Sequence, residues 1–298
     1  MVADSKRAAR RRAPVSWWRA AFLIPALIAY GLFVLWPLVQ TVQFSFYDWN
    51  GITAAEPVGL ANYAEALGNP EIRRALLRSL VFVFFYCLLP TALGLVIAGI
   101  MSRIRVRGSS VFRTILFMPQ VLSMVVVAVA WRWMYDAQGP INAALEAVGG
   151  TPVVFLGDFT LALPAVGFIG TWVMSGLCMV LFIAGVQRIP PELYEAVRLD
   201  GAGPIREFFT ITVPSLRGEI MVALVFTLTV ALRNFDIVWN TTRGGPGSST
   251  MVPSVFIYDG AFVSRQVGDA AAVSVLLTVL ILILTAAIIV PLREREAK

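Results

Sequence analysis

Arg233, Asn234 and Asp236 interrupt the otherwise apolar stretch from Glu219 to Trp239. A charged side chain at the centre of a membrane helix costs at least about 2.5–3.5 kcal/mol on insertion scales unless it faces water or a partner. Two readings are open. Asp236 follows Arg233 closely enough on a helix to form a local ion pair near the outer rim; alternatively, both charges stand at the mouth of a polar cavity. Thr227, Ala231 and Asn234 recur at helical spacing and share one face, with Val230 beside them. Such a face suits hydrogen bonding to a neutral polyol, whereas threonines bonded back to their own helix are the plainer alternative. Trp131, Trp133 and Tyr135 form either an aromatic platform for a sugar ring or part of an interfacial belt.

Other chemistries find little material. The chain has no histidine, which removes histidine acid–base catalysis and histidine-ligated metals. Cys87 and Cys178 fall inside apolar runs as packing residues, without disulfide or metal-binding spacing. Asp136, Asp158 and Asp236 stand singly, so neither a proton-driven carrier nor an intramembrane enzyme has the paired acids it needs. The run Gly244-Gly245-Pro246-Gly247 lacks the Lys-Ser/Thr partner of a phosphate cradle. No catalytic residue, metal ligand or cofactor is expected in this chain, and no nucleic-acid partner.

The elements that must position these residues are membrane helices. Of the 298 residues, 58% are hydrophobic and 14% charged, with a mean hydropathy of +0.78. That composition belongs to a multi-span membrane protein. Charge-free runs, together with the Glu219–Trp239 segment, predict six spans at about 20–42, 79–102, 113–135, 162–187, 218–240 and 270–292. Residues 20–292 thus form one all-α polytopic domain, between a basic tail (1–19) and a short C-terminal tail (293–298). The first run is too long for a signal-peptide core and reads as a retained helix. Basic residues concentrate in the N-terminal tail, the second–third connection (Arg103, Arg105, Arg107, Arg113), the 188–217 segment and the C-terminus. Arg73, Arg74, Arg78, Arg243 and Arg265 lie opposite. The positive-inside rule then places both termini in the cytoplasm. Outside, Pro70 to Arg78 predicts a surface helix, and Ile141 to Val148 an amphipathic stretch over the pore or a simple cap.

Residues 188–217 are a charged island between two apolar runs. Pro190-Pro191 starts a short helix with acidic residues in its first turn, Gly201 supplies a left-handed C-cap, and Pro204 restarts a second helix that ends near Pro214. The run Glu195-Ala196-Val197-Arg198-Leu199-Asp200-Gly201-Ala202, followed by Phe208, Ile211 and Pro214, resembles the "EAA" loop of membrane subunits of binding-protein-dependent ABC importers. It departs from that pattern at Val197, where a second alanine is usual, and at Gly203-Pro204. The outer segments Gly59-Leu60-Ala61-Asn62-Tyr63 and Phe235 to Phe262 resemble carbohydrate-type permeases, and the resemblance spans nearly the whole chain.

The resemblance implies a type I ABC importer fold in which the island is a cytoplasmic coupling helix seated in a cleft of the ATPase, through Glu195, Ala196, Val197, Asp200, Gly201, Ala202, Phe208 and Pro214. It implies solute contacts from Thr227, Val230, Ala231 and Asn234, to which Arg233 and Asp236 are added from the residues themselves. It also implies a homologous second permease forming a heterodimer, a dimeric cytoplasmic ATPase that binds ATP and Mg, an extracytoplasmic substrate-binding protein or lipoprotein, and lipid around a chain in the bacterial cytoplasmic membrane. The expected solute is a di- or oligosaccharide, with glycerol-3-phosphate or another small polar or anionic solute as the alternative. A self-sufficient secondary transporter would instead need inverted repeats and ion-coupling carboxylates.

Overall fold

The computed structural model describes residues 21–103 and 108–294. The basic tail, Arg105, Arg107 and residues 295–298 lie outside the described residues. The chain is largely helical. Its helices are α1 (Ile24–Phe44), α2 (Ala61–Gly68), α3 (Pro70–Met101), α4 (Ser109–Val121), α5 (Met124–Met134), α6 (Pro140–Ala147) and α7 (Ala162–Val186). They continue with α8 (Pro191–Leu199), α9 (Pro204–Ser215), α10 (Arg217–Leu232), α11 (Asp236–Thr241), α12 (Pro253–Tyr258) and α13 (Val267–Leu292). A two-residue antiparallel ladder pairs Tyr47 with Pro57 and Asp48 with Glu56.

Four helices, α1, α3, α7 and α13, are each long and apolar enough to cross a bilayer, and two bent pairs bring the total to as many as six. The paths differ from the sequence expectation in three places. The surface helix expected at Pro70–Arg78 is continuous with the run at 79–102; Asn69 caps its start by accepting from the Glu71 N–H, and Pro70 opens it. The expected 113–135 run bends by 104° between α4 and α5, where Leu122 and Ser123 are extended. The expected 218–240 run stops at Leu232 and resumes at Asp236.

Prolines explain three of the helix irregularities. Wide π-turns at Gly31–Leu35, Phe84–Leu88 and Phe208–Thr212 each end just before Pro37, Pro90 and Pro214. A proline inside a helix removes one N–H and crowds the carbonyl four residues back, and a wider preceding turn relieves that crowding. All three helices therefore continue through their proline.

The core is built around α7, the most enclosed of the long helices. Its glycines admit neighbours at backbone distance: the Tyr86 ring lies on Gly170, Phe85 on Gly167, and the Leu116 carbonyl on Gly176. From α3, Gly94 meets the Cys178 backbone. Small residues at crossings are the usual device where lipid removes the hydrophobic drive for helix association. By contrast, α1 is exposed along its apolar length and packs on α13 through its C-terminal part, Trp36–Phe44. Two segments between the long helices are stapled by buried asparagines. Asn62 donates to the Ser45 and Tyr47 carbonyls at 3.1 and 2.9 Å, and Asn142 joins Asp136 O to both backbone groups of Val153.

Candidate translocation site and charged island

The helix break at Arg233–Phe235 makes a cavity. Arg233 is the C-cap of α10 and Asp236 the first residue of α11, so the cation stands at the helix end whose dipole favours positive charge and the anion at the end that favours negative charge. These helix ends accommodate both charges without a mutual bond: among the described residues no ion pair joins Arg233 to Asp236. Both are exposed, and both line a cavity of about 210 Å³ with Tyr86, Met124, Met174, Thr229, Val230, Asn234, Phe235 and Ile237. Asn234 Nδ2 donates to the buried Tyr86 hydroxyl at 3.0 Å, and Ser254 Oγ donates to the Asn234 carbonyl at 2.7 Å.

The face shared by Thr227, Ala231 and Asn234 exists, but it turns inward. Thr227 is fully buried and donates to the Ala223 carbonyl at 2.7 Å, and Ala231 packs in the core. The cavity side of α10 is carried by Thr229, Val230 and Arg233. Polar residues on a bilayer helix mark its protein-facing side, whether that side is packed or wet, and spacing alone does not separate the two. Sequence reasoning missed Tyr86, Met124 and Met174, which come from other helices and carry no spacing signal. In the aromatic trio, Trp131 and Tyr135 pack inward against Trp172 and Phe155, with Tyr135 Oη on the Ala165 carbonyl, while Trp133 is exposed.

The island forms the two helices its punctuation predicts. Pro191 opens α8, Asp200 ends it, and Gly201 takes φ +76°; Pro204 then opens α9. Glu195, Ala196, Asp200 and Gly201 are exposed, whereas Val197, Ala202, Phe208 and Pro214 are half-buried. Leu199 and Ile205 stand out as apolar side chains 89% and 76% exposed beside these charges. Beneath them, Arg198 forks onto Glu207, Nε to Oε2 at 2.9 Å and Nη2 to Oε1 at 3.2 Å. That hydrogen bond, and then the charge of Glu207, raise the pKa of Arg198 further above its ordinary value. The Tyr194 and Thr212 hydroxyls meet at 3.2 Å, and Arg188 reaches Glu219 at 3.6 Å.

A helical membrane domain with a broken helix at a polar cavity and a charged two-helix island is the architecture of a translocation subunit. The sequence model of the family described as "binding-protein-dependent transport system inner membrane component" matches residues 91–296, and the chain belongs to that family of ABC importer permeases. It is 36% identical, over 89% of its length and 92% of the other's, to a probable ABC transporter permease protein, YurN, of Bacillus subtilis. It is 34% identical to the trehalose/maltose transport system permease protein MalF of Thermococcus litoralis, over 88% and 89% of the two chains. In fold it is similar to a chain of a bacterial ABC transporter involved in import of the acidic polysaccharide alginate, with a TM-score of 0.81 at 22% identity over 93% and 96% of the chains.

Proposed function

We propose that this chain forms half of the pathway by which an ATP-driven importer admits a di- or oligosaccharide delivered by an extracytoplasmic binding protein. A homologous permease supplies the other half, since one island serves one subunit of a dimeric ATPase. The chain crosses the membrane six times, with the two bent pairs α4–α5 and α9–α10 each counted as one crossing and both termini cytoplasmic. The sugar reading rests on the trehalose/maltose relative and on a cavity that mixes amide, phenol, thioether and aromatic groups.

The observation that carries the coupling reading is the island's tip. Leu199, 89% exposed at the end of the charged helix α8, lies on the side where positive charge clusters, and a protein surface that covers it supports docking there. ATP and Mg bound by the partner subunits close the ATPase dimer, and the moving cleft carries the docked segment around Glu195–Ala202 with it. The helices then tilt and open the cavity outward, and hydrolysis returns it inward. The chemistry of ATP belongs to the partner, and this chain transmits the movement.

A second reading, an anionic solute, is favoured by Arg233, whose guanidinium faces the cavity without an ion-pair partner among the described residues. The two readings separate by uptake into vesicles holding the complete complex, with ATP inside and binding protein outside, offered trehalose, maltose or an alginate oligosaccharide. If the solute is anionic, Arg233→Ala lowers its uptake at least about tenfold, since a hydrogen bond to a charged group contributes ~1.5–3 kcal/mol. If the solute is neutral, maltose or trehalose uptake continues in the variant. Failure of the wild-type complex to import any of these solutes contradicts the carbohydrate reading.

A further inference from the structure

The island is fastened to itself and to the membrane part of the chain by contacts that docking on an ATPase does not require. Arg198 leaves the last turn of α8 and forks onto Glu207 at the end of the first turn of α9. Glu207 is 1% exposed, so a carboxylate has been taken out of water to meet a guanidinium that stays largely exposed. Buried ion pairs are often matched in stability by apolar packing, and the best-attested reason to keep one is to fix a register. Here the register is that between the docking helix and the helix behind it.

The next residue, Phe208, lays its ring on Gly99 near the inner end of α3. A methyl at Gly99 would come within 2.6 and 2.8 Å of two ring carbons, so glycine is what lets the ring seat there. Thirteen residues earlier the same helix carries Tyr86, about 20 Å away at 1.5 Å per residue, where its hydroxyl holds Asn234 at the cavity. Between the island and the cavity there are thus one forked ion pair, one ring on a glycine, and one continuous helix.

We propose that Arg198, Glu207, Phe208 and Gly99 form a strut that carries displacement of α8 into α3, which makes Glu207 and Gly99 positioning residues for coupling. The inference rests on the reading of the island as the ATPase-docking loop. Spatial continuity alone does not establish such a link; a measured coupling does.

The test uses the complete complex in nanodiscs, with spin labels at two exposed positions outside the docked segment, Glu192 on α8 and Leu77 on α3, without nucleotide and with Mg-ATP and vanadate. In the wild-type chain the distance between labels is narrowly distributed and stays so in the trapped state. Arg198→Met and Gly99→Ala broaden that distribution and lower the hydrolysis stimulated by maltose-loaded binding protein by about fivefold, within the range for residues that carry coupling between sites. Gly99→Ala combined with Phe208→Leu recovers both readouts, because the smaller side chain clears the added methyl. Arg198→Lys, which keeps the charge, recovers part. Distributions as narrow in Arg198→Met and Gly99→Ala as in the wild type overturn the inference. Glu195→Lys separates the two readings: it leaves the distance narrow while abolishing stimulation. A narrow distance with full stimulation in that variant removes the docking reading and the strut's role with it.

Discussion

At the scale of single residues, the cavity depends on how buried polar groups are satisfied. The Tyr86 hydroxyl is enclosed and takes the Asn234 amide at 3.0 Å. Asn234→Leu leaves the phenol buried without its donor, and the complex should lose about 1–3 kcal/mol of stability, read as a lowered midpoint of unfolding in detergent. Adding Tyr86→Phe removes the orphaned group and should restore most of that loss; a double variant as unstable as the single one contradicts this reading. Sequence spacing found the shared face of Thr227, Ala231 and Asn234. It could not say that the face packs on α3, because burial depends on a neighbour distant in sequence. Arg233 was recognisable from its cost in a membrane. The solution to that cost, a helix end in place of an ion pair, needed the break at residues 233–235, which no proline or glycine announces.

At the scale of elements, prolines and glycines set the shape. The π-turns before Pro37, Pro90 and Pro214 let helices run through prolines that would otherwise break them. The glycines of α7 set how close its neighbours approach. Gly170→Ala places a methyl into the Tyr86 ring and should destabilise the protein by about 1–3 kcal/mol, the usual cost of overpacking. Gly149→Ala makes a useful control: that glycine has positive φ but no atom within 4 Å of its added carbon, so its effect should be confined to backbone strain. Equal thermal shifts in the two variants would contradict close packing as the role of Gly170. The island's helices were legible because Pro191, Gly201 and Pro204 are local signals. The 104° bend between α4 and α5 was not, since Leu122 and Ser123 have no strong preference for the extended backbone they adopt.

At the scale of the whole molecule, the chain is open. α1 is covered along little of its length, and α13 shows broad apolar surface. Such a surface suits a subunit whose remaining neighbours are lipid and a second permease. The proposed coupling runs from the exposed tip around Glu195, through α9 and α3, to the break at Arg233. The measurement that tests this most directly is ATP hydrolysis by the reconstituted complex, with its second permease, ATPase and binding protein, comparing the wild-type chain with Glu195→Lys. The account predicts hydrolysis stimulated by the binding protein in the wild type and a fall of about tenfold or more in the variant, the scale expected when a charge is reversed at a close interface, with all subunits still assembled. Undiminished stimulation in Glu195→Lys would contradict it, because the island would then not be where the ATPase engages this chain.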